Sequence, residues 1–227
     1  MRLKEIIINF LISFISIFLG MLCTFAGQGM IDRAADKKEV RSALALVRSE
    51  LVTNKSDIST MSDYLRQERR AAEYFLENRT KLASCPQGSI NFHSGVIFAD
   101  ASITLSQDAL ELLKMSSLFQ KIGDNDTAMK IIRAYDTCSS AAASLNRRIE
   151  SRNAMFEASV NEQTARKLAS TGSIDIKEFI KTNYGLYAIR WLSQQPGPEY
   201  YADVADLDEA VAAIDSYLQG RRIKPRK

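Results

Sequence analysis

Between Val40 and Phe75 the sequence places apolar residues at alternating steps of four and three. The series is Val40, Leu44, Val47, Leu51, Ile58, Met61, Leu65, Ala72 and Phe75, with Asn54 and Glu68 filling its two gaps. Such steps return to one side of an α-helix, so the run predicts a long helix with one continuous stripe to bury. A helix of this kind calls for other helices. The composition agrees: 10 Gly and 4 Pro in 227 residues is a low content of turn formers, about half the usual ~12%, and alanine is abundant at 26. A β-sandwich, a collagenous chain and a disordered linker each need more turn formers or fewer apolar residues. Three Cys are too few for a disulfide scaffold, and a single His leaves little for a zinc site. The net charge of +3 is too weak to imply a nucleic-acid partner.

Upstream of the repeat the chain changes character. Residues 1–30 hold only Arg2, Lys4 and Glu5 as charges, and residues 6–26 hold none. At ~1.5 Å per helical residue that run spans roughly 30 Å, the hydrocarbon thickness of a bilayer. An uncleaved single-pass anchor over residues 1–31 is the expectation. A cleaved signal, with Thr24-Phe25-Ala26 as its small-x-small site, is the alternative, although the apolar run is longer than the ~7–15 residues usual for a signal peptide. Counting Lys and Arg on either side slightly favours a cytoplasmic body. A hydrophobic segment that starts almost at the first residue favours the opposite, and a periplasmic body on a bacterial inner membrane is the reading adopted. Asn9, Ser13, Ser16, Gly20, Cys23 and Gly27 recur at steps of 4, 3, 4, 3 and 4, which puts small and polar groups along one seam of the span. Lipid gives helices no hydrophobic reason to associate, so this seam predicts pairing with a second copy or with a partner membrane helix.

Beyond about Asp32 the chain reads as helix almost throughout. The first helix is expected to continue to about Leu82, with a break at Thr53-Asn54-Lys55-Ser56-Asp57, where short polar side chains compete for the backbone. Residues 84–103 read as an irregular segment or a small hairpin, from the Cys85-Pro86-Gln87-Gly88 turn and β-prone runs around Ser94-Gly95. Helices follow over about 105–122, about 124–170 and about 174–194. Gly123 and Gly172 are expected to act as stops, and Asp124 or Asp126 as a cap. Tyr184, Tyr187 and Trp191 recur at helical spacing and read as core. Pro196-Gly197-Pro198 is a further stop, Asp206 and Glu209 form a capping-box variant, and Gly220 closes the last helix. The fold class is therefore all-α: a transmembrane helix, then an antiparallel bundle of about five helices over 32–220. A basic tail occupies 221–227. The tail carries +5 and residues 31–220 carry −3.

Motifs with chemistry are scarce. His93 lies beside Ser94 with Asp100 nearby, but neighbours in sequence rarely reach triad geometry, and a packed loop histidine is the reading adopted. No G-x-S-x-G, G-x-x-x-x-G-K-[ST] or G-x-G-x-x-G occurs. No catalytic residue, metal site or cofactor is expected. Cys85 and Cys138 are candidates for a disulfide if the body lies in an oxidising compartment. Such a bond closes a loop of about 53 residues, worth roughly 4 kcal/mol by chain entropy. Two unpaired thiols are the alternative.

The order of features resembles a broad group of bacterial single-span membrane proteins. It is carried by Ser49-Glu50-Leu51-Val52-Thr53-Asn54, then Ala109-Leu110-Glu111-Leu112-Leu113-Lys114-Met115-Ser116-Ser117-Leu118, then Ile122-Gly123-Asp124, then Ile131-Ile132-Arg133-Ala134-Tyr135. These are helical patterns covering about residues 1–140. The resemblance implies an inner-membrane location and an all-helical domain. It carries over no catalytic residue, and Cys85 and Cys138 stand outside it. The function expected is non-enzymatic: a membrane-anchored interaction or scaffold module, a homo-oligomer or the partner of another membrane protein, with the lipid bilayer as its surroundings. The alternative is an extracytoplasmic sensor that binds a small ligand and signals through a partner.

Overall fold

The computed structural model describes residues 2–160, 174–197, 200 and 203–220, with side chains described from residue 34 onward and at Leu19. Among the described residues there are seven α-helices, two 3-10 turns and no strands. Helix α1 spans Arg2–Glu77, α2 Gln87–Ile97, α3 Asp108–Met115, α4 Asn125–Ser159, α5 Ile176–Phe179, α6 Asn183–Ser193 and α7 Ala205–Leu218. Residues Asn9, Ser13, Ser16, Gly20, Cys23 and Gly27 of the pairing face lie outside the described side chains, and the basic tail lies outside the described residues. Among the described residues no helix is long and apolar enough to cross a membrane, and the side chains of residues 6–18 and 20–26 lie outside that set.

The side-chain contacts give the topology. Going down α1, its partners from the second part of the chain climb in number: His93 stacks on Tyr74, Ser106 bonds Asn54, and Lys121 pairs with Asp36. Residues 79–121 therefore run antiparallel to α1. Helix α4 then runs parallel to it, with Tyr135 on Glu50, Cys138 on Asn54 and Arg152 on Glu68. Helices α6 and α7 return antiparallel, through Trp191 on Arg148, Lys55 on Asp208 and Arg48 on Asp215. The result is an up-down-up-down bundle of four legs, two of them broken into pieces, rather than five separate helices.

The stripe on α1 is the centre of both hydrophobic clusters. All eleven of its positions from Val40 to Phe75, Asn54 and Glu68 included, are buried. Its upper half packs with Leu113, Ile131, Tyr135, Leu145 and Ile214, and its lower half with Ile90, Ile97, Phe179 and Ile189. Helix α4 answers with buried residues at Ile131, Cys138, Leu145 and Arg152, seven apart. The polar contacts Asn54–Cys138 and Glu68–Arg152 both join residues 84 apart in sequence, so the two parallel helices keep one register over four turns.

Several expectations are corrected. The segment 84–103 is neither a hairpin nor irregular at its centre, for it contains helix α2. Ile90 and Ile97, seven apart, are both buried against α1, and that packing overrides the β-propensity of the run. Residues 53–57 do not break α1. The Thr53 hydroxyl bonds back to the Ser49 carbonyl, and the Asn54 amide is engaged by a neighbouring leg, so neither competes for its own helix. The helix of 105–122 is shorter, because the nine residues 99–107 have no regular structure and find their partners elsewhere. The Asn54 amide donates to the Ser106 carbonyl at 2.8 Å while its oxygen accepts from the Ser106 N–H at 3.1 Å. Asn146 treats Ile103 in the same way, at 2.8 and 3.2 Å. Two side-chain amides from α1 and α4 thus stand in for the helix ladder that this leg lacks.

Asp124 caps α4 as expected, accepting from the Asp126 N–H, and Gly123 and Gly220 hold positive φ of 69° and 71°. Helix α4 ends at Ser159, and residues 161–173 lie outside the described ones. The stretch 174–194 is two helices, because the Thr182 hydroxyl caps a new start by accepting from the Gly185 N–H. This restart turns Tyr184 and Tyr187 outward, 70% and 61% exposed, so they are not core, while Gly185, Ala188, Ile189 and Leu192 face inward. Asp206 and Glu209 form no capping box. Asp203 accepts from the Ala205 N–H, and Asp206 instead accepts from the Thr137 hydroxyl of α4.

A Cβ on Gly185 would sit 2.1 Å from the Phe179 carbonyl oxygen and 2.8 Å from the Thr182 hydroxyl. Gly185→Ala is expected to destabilise the detergent-solubilised full chain by about 1–3 kcal/mol in urea unfolding. Asn146→Ala is expected to cost about 1–3 kcal/mol by orphaning the Ile103 amide and carbonyl. A midpoint unchanged in either variant contradicts the placement of that residue.

Candidate functional site

Two polar layers interrupt the apolar stripe of α1, and each is built around one of the residues that fill its gaps. The first surrounds Asn54 and Glu50. The Glu50 carboxylate accepts from the Ser106 hydroxyl, from the Tyr135 hydroxyl of α4 and from the Ala109 N–H at 3.1 Å. Ala109 belongs to the first turn of α3, whose own preceding residue, Gln107, makes no cap bond. Glu50 therefore caps α3 from another leg, with its negative charge at the positive end of that helix. Burial pushes the Glu50 carboxyl upward, but the bonds from Ser106, Tyr135 and the Ala109 and Asp108 amides outweigh it and hold the pKa below its ordinary 4.5. Burial, together with the Glu50 bond and charge, raises Tyr135 far above the usual phenol range, so it stays a neutral donor. Burial also pushes the Cys138 thiol up to about 11 against the opposing Asn54 bond, with Glu50 adding to the rise, so it is an inert thiol at neutral pH.

Cys85 and Cys138 do not pair. Both are free: Cys138 is buried in the cluster around Asn54, whereas Cys85 packs against the other cluster, with its thiol on the Lys81 carbonyl. His93 is packed, stacked on Tyr74 at 4.2 Å between centroids and edged by Phe92 and Phe75, and burial lowers its pKa. Ser94 donates to the Asn91 carbonyl, so no triad forms there. No group of three or more His, Cys, Asp or Glu side chains able to hold a metal occurs among the described residues.

The second layer surrounds Glu68, whose side chain is fully buried. Its two oxygens accept from Arg148 and, at 3.0 Å, from Arg152, both on α4 and 3% and 4% exposed in their side chains. Arg152 also donates to the Tyr64 hydroxyl and to Asn153. Arg148 lies over the Trp191 ring of α6, 5.4 Å from its centroid. Two guanidiniums thus face one carboxylate in the core, and Nη1 of Arg148 has no hydrogen-bond partner among the described residues. Guanidinium does not lose its proton at accessible pH, so the excess charge is permanent.

This layer opens to the surface through a cleft of about 300 Å³. Arg66, Arg69, Arg70 and Glu73 of α1 line it, with Arg148 at its inner side and Gln195-Pro196-Gly197 after α6. Arg66 pairs with Asp63 and Arg69 with Glu73, each at 3.0 Å and each nearly half exposed. The sequence reading used Glu68 only to fill the helical repeat. The signal that was present is the spacing of Arg148 and Arg152, one turn apart and both on the inward side of α4. Comparison with protein-family models, characterised proteins and solved structures finds no match for this chain.

Because its pKa is lowered by folding, Glu50 contributes stability that is fully present above pH 4.5 and is lost as pH falls through the folded value. The wild-type chain is expected to lose more unfolding free energy than Glu50→Gln between neutral pH and ~pH 3. Equal slopes for the two proteins in urea titrations across that range contradict the capping role.

Proposed function

We propose that the chain is a membrane-anchored helical scaffold, held in a bacterial inner membrane by residues 6–26 with its bundle in the periplasm. The observation that carries this reading is the continuity of α1. One helix of 76 residues joins the uncharged run to the stripe that organises both hydrophobic clusters. At ~1.5 Å per residue it is roughly 110 Å long, so anchor and bundle share a stiff axis. Pairing through Asn9, Ser13, Ser16, Gly20, Cys23 and Gly27 would then set the spacing of two bundles. Exposed Tyr184, Tyr187 and Met115 offer contact area to a partner.

A second reading, an extracytoplasmic sensor, is favoured by one observation: the arginine-lined cleft touches α1 directly. A ligand there acts on the helix that leads to the membrane, and output passes to a partner.

Alkaline carbonate washing is expected to leave the full chain in the membrane fraction, and a phosphatase fused after residue 227 is expected to be active. Crosslinking in native membranes should give a homodimer that Ser16→Leu with Gly20→Leu weakens at least about fivefold. Release by carbonate contradicts the anchor, an inactive fusion contradicts the periplasmic side, and unchanged crosslinking contradicts the pairing face.

A further inference from the structure

We propose that the cleft between α1 and the turn after α6 is a binding site for a small oxyanion, a phosphate or carboxylate group held by Arg70, Arg69 and Arg148. Three features of the cleft combine in this assignment. The first is charge. Around the cleft and the layer beneath it Arg69, Arg70, Arg148 and Arg152 stand against Glu68 and Glu73 among the described residues. Arg70 has no carboxylate partner among them, so the wall of the cleft is cationic.

The second feature is the state of Arg148. Its side chain is 3% exposed and one nitrogen is spent on Glu68, yet Nη1 meets no acceptor among the described residues. Buried polar groups are almost always paired, and an unpaired one calls for a partner not present. The Trp191 ring covers the guanidinium but offers it no oxygen. Glu68 meets Arg148 through Nη2 alone, and its other oxygen accepts from Arg152. An acceptor supplied from outside would complete the set. Guanidinium presents parallel N–H groups that match two oxygens of a phosphate or carboxylate, which a halide cannot reproduce.

The third feature is size. About 300 Å³ is at the lower end of small-ligand sites, which suits a small acid or a phosphate group. Arg69 and Arg70 are consecutive on α1, so an anion between them and Arg148 ties α1 to α4 at one level. The inference goes beyond the scaffold reading and supplies the ligand that the sensor reading requires. Binding and signalling separate in the experiment below.

The test uses the full chain in detergent micelles, titrated with inorganic phosphate and separately with succinate. Ionic strength is fixed with chloride throughout. The readouts are calorimetric binding and the thermal midpoint. One or both oxyanions should saturate a single site and raise the midpoint, and the one that binds tells phosphate from carboxylate chemistry. Arg70→Gln, an exposed position, should weaken that binding at least about tenfold while leaving the anion-free midpoint unchanged. Arg148→Lys should abolish it. If neither oxyanion binds more tightly than chloride, or if Arg70→Gln binds as well as wild type, the site is refuted. Binding that leaves crosslinking between membrane anchors unchanged upholds the site and removes the sensor reading alone.

Discussion

Glu68 is the residue on which the rest of the bundle turns. A carboxylate in an apolar core is unstable unless its charge is met, and here two arginines of α4 meet it. Buried ion pairs of this kind seldom add much net stability over apolar packing. What they do is penalise every arrangement in which the partners are apart. A slip of α4 by one turn along α1 would leave Glu68 with one of its two arginines and strand the other guanidinium, and a slip of two turns would strand all three groups. The apolar stripe alone would tolerate either slip, because leucines and isoleucines repeat along both helices.

From that fixed pair the other legs follow. With α1 and α4 parallel, the leg between them and the leg after α4 run the other way, and both do so in pieces. The first is irregular where Asn54 and Asn146 hold its backbone with their amides. The second restarts at Thr182. Each break is stabilised by a side chain from the body of the bundle or its own cap. Among the described residues the excess positive charge left beside Glu68 is not balanced by the fold, and it opens onto the surface.

Much of the fold was legible in the sequence. The stripe from Val40 to Phe75, the Asp124 cap, and the left-handed stops at Gly123 and Gly220 follow from helical period and backbone sterics, which are local. The failures share a cause. Ile90 and Ile97 looked β-prone, and residues 53–57 looked like a break, because propensity was read without the neighbour that buries or bonds those residues. Tyr184 and Tyr187 were read as core from spacing, but the helix restarts at Thr182 and its phase shifts. Cys85 and Cys138 sit in separate clusters, which spacing along the chain does not reveal. The polar layers were the hardest part. Asn54 and Glu68 stood in the apolar stripe as gap fillers, and only their partners on α4, 84 residues away, show that both positions are structural.

The pairing of Glu68 with α4 is tested most directly by a double-mutant cycle on the detergent-solubilised full chain. Urea unfolding would be followed for Glu68→Gln, Arg152→Gln and the two together. Glu68→Gln is expected to destabilise by about 3–5 kcal/mol, because it leaves two buried guanidiniums without a carboxylate, and Arg152→Gln by less, because Arg148 still meets Glu68. The double variant is expected to be at least ~2 kcal/mol more stable than the sum of the two single effects implies. Effects that add to within ~0.5 kcal/mol would show that the two residues act independently, and would contradict the register on which the bundle is built.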